Sequence, residues 1–191
     1  SRFRSERSHL EELLAALPAD EADSLTGAAL EAAEQLDALM REILGFTSAE
    51  YRLTERGPVT LVRPVGDEGP APLALLRARP VTAVEDLLVK DAPTLAEAWE
   101  PVDLADAGAP ALEGVEPVES VSRALSMLLT DEHGPAFVLV LAGQWALVAE
   151  RERWPEGRWL AVNVQLVVER HEATRGGEVE RALTCLDARS L

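Results

Sequence analysis

The residues best suited to chemistry are Glu150 and Glu152, which close the apolar stretch FVLVLAGQWALVAE and bracket Arg151. Two carboxylates two residues apart on a strand share one face, because strand side chains alternate with a period of two. Such a pair can hold Mg²⁺ through oxygen ligands, and a bound Mg²⁺ activates water for attack on a phosphodiester. Glu119 or Asp131 is expected to supply a further oxygen. The competing reading is a solvated acidic patch balanced by Arg151 and Arg153.

The elements that must position this pair are legible in residues 135–170. Residues 137–141 and 145–150 read as two strands joined through Ala142-Gly143-Gln144 into a hairpin. Residues 118–130 form an amphipathic helix, with Val121, Leu125, Leu128 and Leu129 on one side. Residues 131–135 are a turn. Beyond the hairpin, residues 154–157 are a loop. Residues 160–170 suit either a helix or a strand, and their length favours a helix. Residues 178–186, after Gly176-Gly177, are expected to form a last helix.

Helix, strand, turn, strand ending in an acid, then helix is the order of a PD-(D/E)xK nuclease core. Such a core needs an Asp at the start of one strand and an acid-x-Lys pair on the next. Pro135-Ala136 occupies the first position and Glu150-Arg151-Glu152 the second. The metal-binding Asp is therefore replaced by Ala136 and the Lys by Glu152. The chain's single lysine, Lys90, lies far off in sequence. Two readings stand: a variant Mg²⁺-dependent endonuclease that uses Glu150 and Glu152, and a degenerate nuclease-like scaffold.

Upstream, residues 2–17 carry Leu10, Leu13, Leu14 and Leu17 at helical spacing, and Pro18 ends that helix. Residues 23–44 form a longer helix, and Gly45 is placed to cap it. Together they make a helical hairpin over residues 1–45. Residues 46–100 are richer in strands. Two short ones flank Gly57-Pro58, a third spans 73–77, and residues 84–89 are apolar without a clear period. Residues 91–100 are expected to be a short helix, with Thr94 as N-cap and Glu97 at capping-box spacing. Residues 101–117 read as a Pro/Gly/acid linker or flexible loop, and residues 118–191 as a helix-hairpin-helix segment. The fold class is thus α/β (α+β), a helical hairpin followed by a mixed sheet flanked by helices. Residues 46–191 are expected to form one domain.

Composition sets limits on function. The 191 residues carry 34 acidic and 18 basic side chains, a net charge of −16. Nucleic-acid binding needs a basic face for phosphate contacts, so the chain is a poor self-sufficient nucleic-acid binder. It suits a module that packs on a basic partner, and an acidic interaction module that mimics DNA is a third reading. Apolar residues are 47% of the chain, enough for a substantial core. Cys185 is the sole cysteine, so no internal disulfide is possible. A reducing, cytoplasmic setting without membrane insertion is the expectation. The chain begins at Ser1 and stops at Leu191, and both ends read as cuts in a longer protein.

Other candidates are weaker. His9, His133 and His171 have no metal-ligand spacing. Cys185 is expected to be a core thiol on an apolar helix face. Trp145, Trp154 and Trp159 have ring faces that can stack on bases, but at this net charge they are expected to anchor the core. Gly176-Gly177 opens a helix without a phosphate-binding signature.

Four segments carry a family resemblance: LGFTSAEYRLTERGPVTLVRP (44–64), APLALLRARPVTAVEDLLVKDAPTLAEAWEP (71–101), LVLAGQWALVAERERWPEGRWLAVNVQLVVER (139–170) and GGEVERALTCLDARSL (176–191). They resemble the amino-terminal part of a family of large actinobacterial proteins. That family is similar to class I S-adenosylmethionine-dependent adenine-specific DNA methyltransferases of the type IIG restriction-modification and phage-defence kind. The resemblance implies that S-adenosylmethionine and DNA are handled by the parent protein, outside this segment. Its partners would be the rest of the parent chain and a defence-system protein. The family's glycine-rich cofactor turn and its Asn-Pro-Pro-Tyr tetrapeptide are both missing from this sequence, so no methyltransferase residue carries over.

Overall fold

A computed structural model of the chain describes residues 2–17, 27–106, 108–169, 185–188 and 191. Its centre is a six-stranded sheet in the order β1-β2-β3-β4-β5-β6. The strands are β1 (Tyr51–Arg56), β2 (Val59–Pro64), β3 (Leu73–Arg77), β4 (Phe137–Ala142), β5 (Trp145–Glu150) and β6 (Leu160–Asn163). Neighbours pair antiparallel except β3 and β4, which run parallel with Leu73 opposite Phe137 and Arg77 opposite Leu141. A parallel pair needs a crossover, and residues 78–136 supply it. The sheet is therefore mixed and the fold class is α/β (α+β).

Period-two alternation divides the sheet residues between two apolar layers. Val62, Leu73, Leu75, Leu139, Leu141 and Val148 face α1 (Arg2–Ala15), α2 (Gly27–Ile43) and α4 (Val164–Glu169). Val59, Leu61, Leu76, Val138, Val140 and Leu147 face α3 (Val121–Thr130), the 3-10 turn Val84–Leu88 and the irregular segment that follows it. The amino-terminal helices thus form one face of the same body as the sheet.

Local sequence explains the well-read elements. Gly45, at φ +87°, ends α2 in a Schellman motif. The Phe46 amide donates to Arg41 O at 2.9 Å and the Gly45 amide to Glu42 O at 3.1 Å, while Phe46 is fully buried. The hairpins turn at Gly57 and Gly143, with φ +60° and +61°.

Three expectations are corrected. Residues 91–100 are not a helix. Leu95 bridges Ala78 and Trp99 bridges Val118, so the backbone groups a helix would use are committed to distant partners. The Leu95 amide donates to Glu119 O at 2.8 Å, and Trp99 and Val118 exchange bonds of 2.8 Å. The Thr94 hydroxyl caps a different helix, accepting from the Val121 amide at 3.0 Å. Next, residues 101–117 are more than a linker. Val102 bridges Ala111, and Pro101, Val102 and Leu104 are buried. Finally, residues 160–170 begin as strand. Residues 160–163 pair with 148–145 and give β5 its second neighbour. Asn163 then starts α4, its side-chain oxygen accepting from the Leu166 amide at 3.0 Å. Most of residues 178–186, and the ends of the expected hairpin near Pro18 and residues 23–26, lie outside the described residues.

Candidate functional site

Glu150 is the last residue of β5, half-buried and opposite Phe137. Glu152 is exposed in the turn that follows. The strand stops between them: the Arg153 amide donates back to Glu150 O at 3.1 Å and a 3-10 turn begins at Trp154. The two carboxylates therefore do not share a strand face, which corrects the premise that paired them.

Arg151 is the occupied member of this triplet. Its guanidinium donates to Asp131 O at 2.7 Å, to Gly134 O, and to Pro135 O at 3.3 Å. Its amide donates to Ala136 O at 2.8 Å. It clamps the turn that leads into β4. Gly134 fits beneath it because nothing larger can: a Cβ there would lie 1.9 Å from Leu128 O.

The expected helpers are separated. Asp131 is the C-cap of α3, and its carboxylate accepts from the His133 amide at 2.8 Å. Glu119 precedes the other end of that helix, so about 15 Å of helix lies between them. Among the described residues no three His, Cys, Asp or Glu side chains are grouped as a metal site. Glu150 and Glu152 thus lie on the last residue of β5 and in the turn after it, with no third such ligand grouped beside them among the described residues.

Trp145, Trp154 and Trp159 are half-buried against the α3-side core, as anchors would be. The Trp154 indole N–H points to Ser126 Oγ at 3.4 Å. Cys185 is exposed, which corrects its reading as a core thiol. His9 is exposed, and His133 lies 3.8 Å from Glu132. His171 and Gly176-Gly177 lie outside the described residues.

The sequence reading passed over a buried polar cluster under α2. Arg41 is 7% exposed. Its Nε lies 2.8 Å from Asp37 Oδ2, and its Nη1 donates to Thr60 Oγ1 at 3.1 Å. Glu55 is 3.8 Å away. The other Asp37 oxygen is buried with no hydrogen-bond partner among the described residues. Burial pushes the Asp37 carboxyl above its ordinary 3.8, against the pull of Arg41 and Arg77. The signal was present: Asp37 and Arg41 are an i,i+4 pair beside the apolar positions Leu36, Leu39 and Met40.

A cavity of about 140 Å³ lies beside this cluster. It opens between α2 and the carboxyl ends of β3 and β4, and Asp37, Met40, Arg77, Arg79, Leu141 and Trp145 are among its walls.

Comparison with family models, curated proteins and solved structures returns no match for this chain. No helix among the described residues is long and apolar enough to cross a membrane.

Proposed function

We propose that this chain is the amino-terminal, nuclease-like or regulatory domain of a DNA adenine methyltransferase acting in restriction-modification or phage defence. One observation carries the reading. The segments that bear the family resemblance contain five of the six strands whole and most of β4. The resemblance therefore follows a folding unit and is not scattered over surface loops.

The chemistry of the chain supports a supporting role in that parent. Its −16 charge disfavours independent DNA contact and favours docking on a basic body. The Arg151 clamp gives the acid-x-acid triplet a structural task. S-adenosylmethionine and the target base would be bound by the parent beyond this segment, with a defence-system protein as a further partner.

Three measurements test the proposal. Residues 1–191 titrated with S-adenosylmethionine by calorimetry should show no tight binding, and tight binding by this segment would overturn the assignment. The parent polypeptide should transfer a labelled methyl group to adenine in duplex DNA, and absence of that transfer would equally overturn it. Plasmid nicking with Mg²⁺, lost on Glu150→Ala, would replace the regulatory role with an endonuclease.

A further inference from the structure

The cavity beside α2 sits where the fold makes a binding cleft. Strands β3 and β4 are the parallel pair, and ligands of open α/β sheets gather outside the carboxyl ends of such strands. After Arg77 the chain leaves β3 for the α3 side of the sheet, while α2 lies over the opposite side. Among the described residues neither layer fills the space between. Gly143 and Pro80 crowd one end: a Cβ on Gly143 would meet Pro80 Cβ at 2.9 Å. Ala33, Ala78 and Ala96 are small where larger side chains would close the void.

Size and lining limit the occupant. The volume of about 140 Å³ matches cavities that hold a single aromatic ring, for which about 150 Å³ suffices for benzene. Leu36, Met40, Leu141 and Val164 offer apolar surface, and the Trp145 ring borders the space. The Trp145 N–H is already committed to Thr82 O at 3.2 Å, leaving its carbon surface for packing.

Charge decides the rest. Glu34 and Asp37 line the helix side, three residues apart; Arg77 and Arg79 line the strand side. Arg77 is paired with Glu97 at 2.5 Å, Asp37 with Arg41 at 2.8 Å, and Arg79 Nε donates to Leu95 O at 3.1 Å. The two acids and two arginines of the lining balance, so the walls carry no net charge that would favour a cation or an anion. A neutral ring with N–H donors on one edge and acceptors on another would address the carboxylates and the Arg79 guanidinium together.

We propose that this cavity is a binding site for an uncharged, amino-substituted heteroaromatic ring. The site stands apart from the methyltransferase reading, because it rests on the cavity alone.

The test uses 2-aminopyrimidine as probe, followed by amide chemical shifts of the isotope-labelled chain. Saturable shifts should gather at residues 30–40, 77–80 and 141–145. Benzylamine and benzoate, of similar size but charged, should bind at least tenfold more weakly. Ala33→Leu fills the space from a half-exposed helical position and should weaken the probe at least tenfold without lowering Tm. Arg79→Gln should weaken it several-fold. Shifts scattered elsewhere, equal binding by Ala33→Leu, or tighter binding of either charged analogue would each overturn the proposal. Should Ala33→Leu fold poorly, the location of the shifts and the order of the three probes on the unaltered chain still decide it.

Discussion

Gly134→Ala tests the packing at the turn into β4. The added Cβ would lie 1.9 Å from Leu128 O, 3.1 Å from Leu128 C and 3.0 Å from Arg151 Nη2. Non-bonded carbon contacts are favourable at about 3.5–4.0 Å, so one side must retreat by roughly 1.6 Å, the difference between about 3.5 and 1.9. Neither side moves freely. Leu128 is fully buried on α3, and the turn is held by Arg151 on three carbonyls. Forced overpacking costs about 1–3 kcal/mol. Losing a hydrogen bond from a charged donor adds about 1.5–3 kcal/mol. The sum is about 2.5–6 kcal/mol, which lowers Tm by roughly 5–24 °C for a chain of this size. Thermal unfolding followed by circular dichroism measures it. Gly27→Ala is the control, since nothing among the described residues lies within 4 Å of its Cβ; it should leave Tm unchanged or slightly raised. In an Arg151→Met background the cost of Gly134→Ala should shrink, because the two changes disrupt one turn. A Gly134→Ala melt within about 1 °C of the unaltered chain would refute the placement of the turn under α3.

Two further outcomes follow from named contacts. Thr94→Val keeps the shape but removes the acceptor for the Val121 amide. It should cost about 1 kcal/mol in denaturant unfolding and speed exchange at that amide, and unchanged exchange there would count against the cap. Asp37 concerns pH. Its folded pKa is raised above 3.8, so between 3.8 and the folded value the native state binds more protons than the unfolded one. The stability it contributes is full below 3.8 and is lost as pH rises through the raised pKa. Arg41, Arg77 and Glu55 act on it throughout. Asp37→Asn should remove that decline, and urea melts between about pH 3 and pH 8 compare the two slopes; parallel slopes would refute the burial argument.

What was legible divides along one line. Elements fixed by local chemistry were readable: the leucine spacing of α1 and α3, the Gly45 cap of α2, and the hairpins turned at Gly57 and Gly143. Elements fixed by distant partners were not. Thr94 and Glu97 have capping-box spacing, yet Thr94 caps α3 and Glu97 pairs with Arg77. Residues 160–170 have enough apolar length for a helix, but β5 had an open edge and took 160–163 as strand. The cavity was invisible for the same reason, since α2, the ends of β3 and β4, and Trp145 meet there only through the sheet.

Glu150 and Glu152 show how a period argument fails. The spacing places two carboxylates on one face only if the strand continues through Glu152. Arg151 decides that it does not. A planar guanidinium with several N–H donors can serve three carbonyls at once, whereas a lysine offers a single point charge. With Arg151 drawn onto Asp131, Gly134 and Pro135, the chain turns at Glu150 and leaves Glu152 in solvent. The triplet that looked most catalytic is organised around its arginine. That fixes the start of β4, and therefore the register of the parallel pair whose far ends frame the cavity.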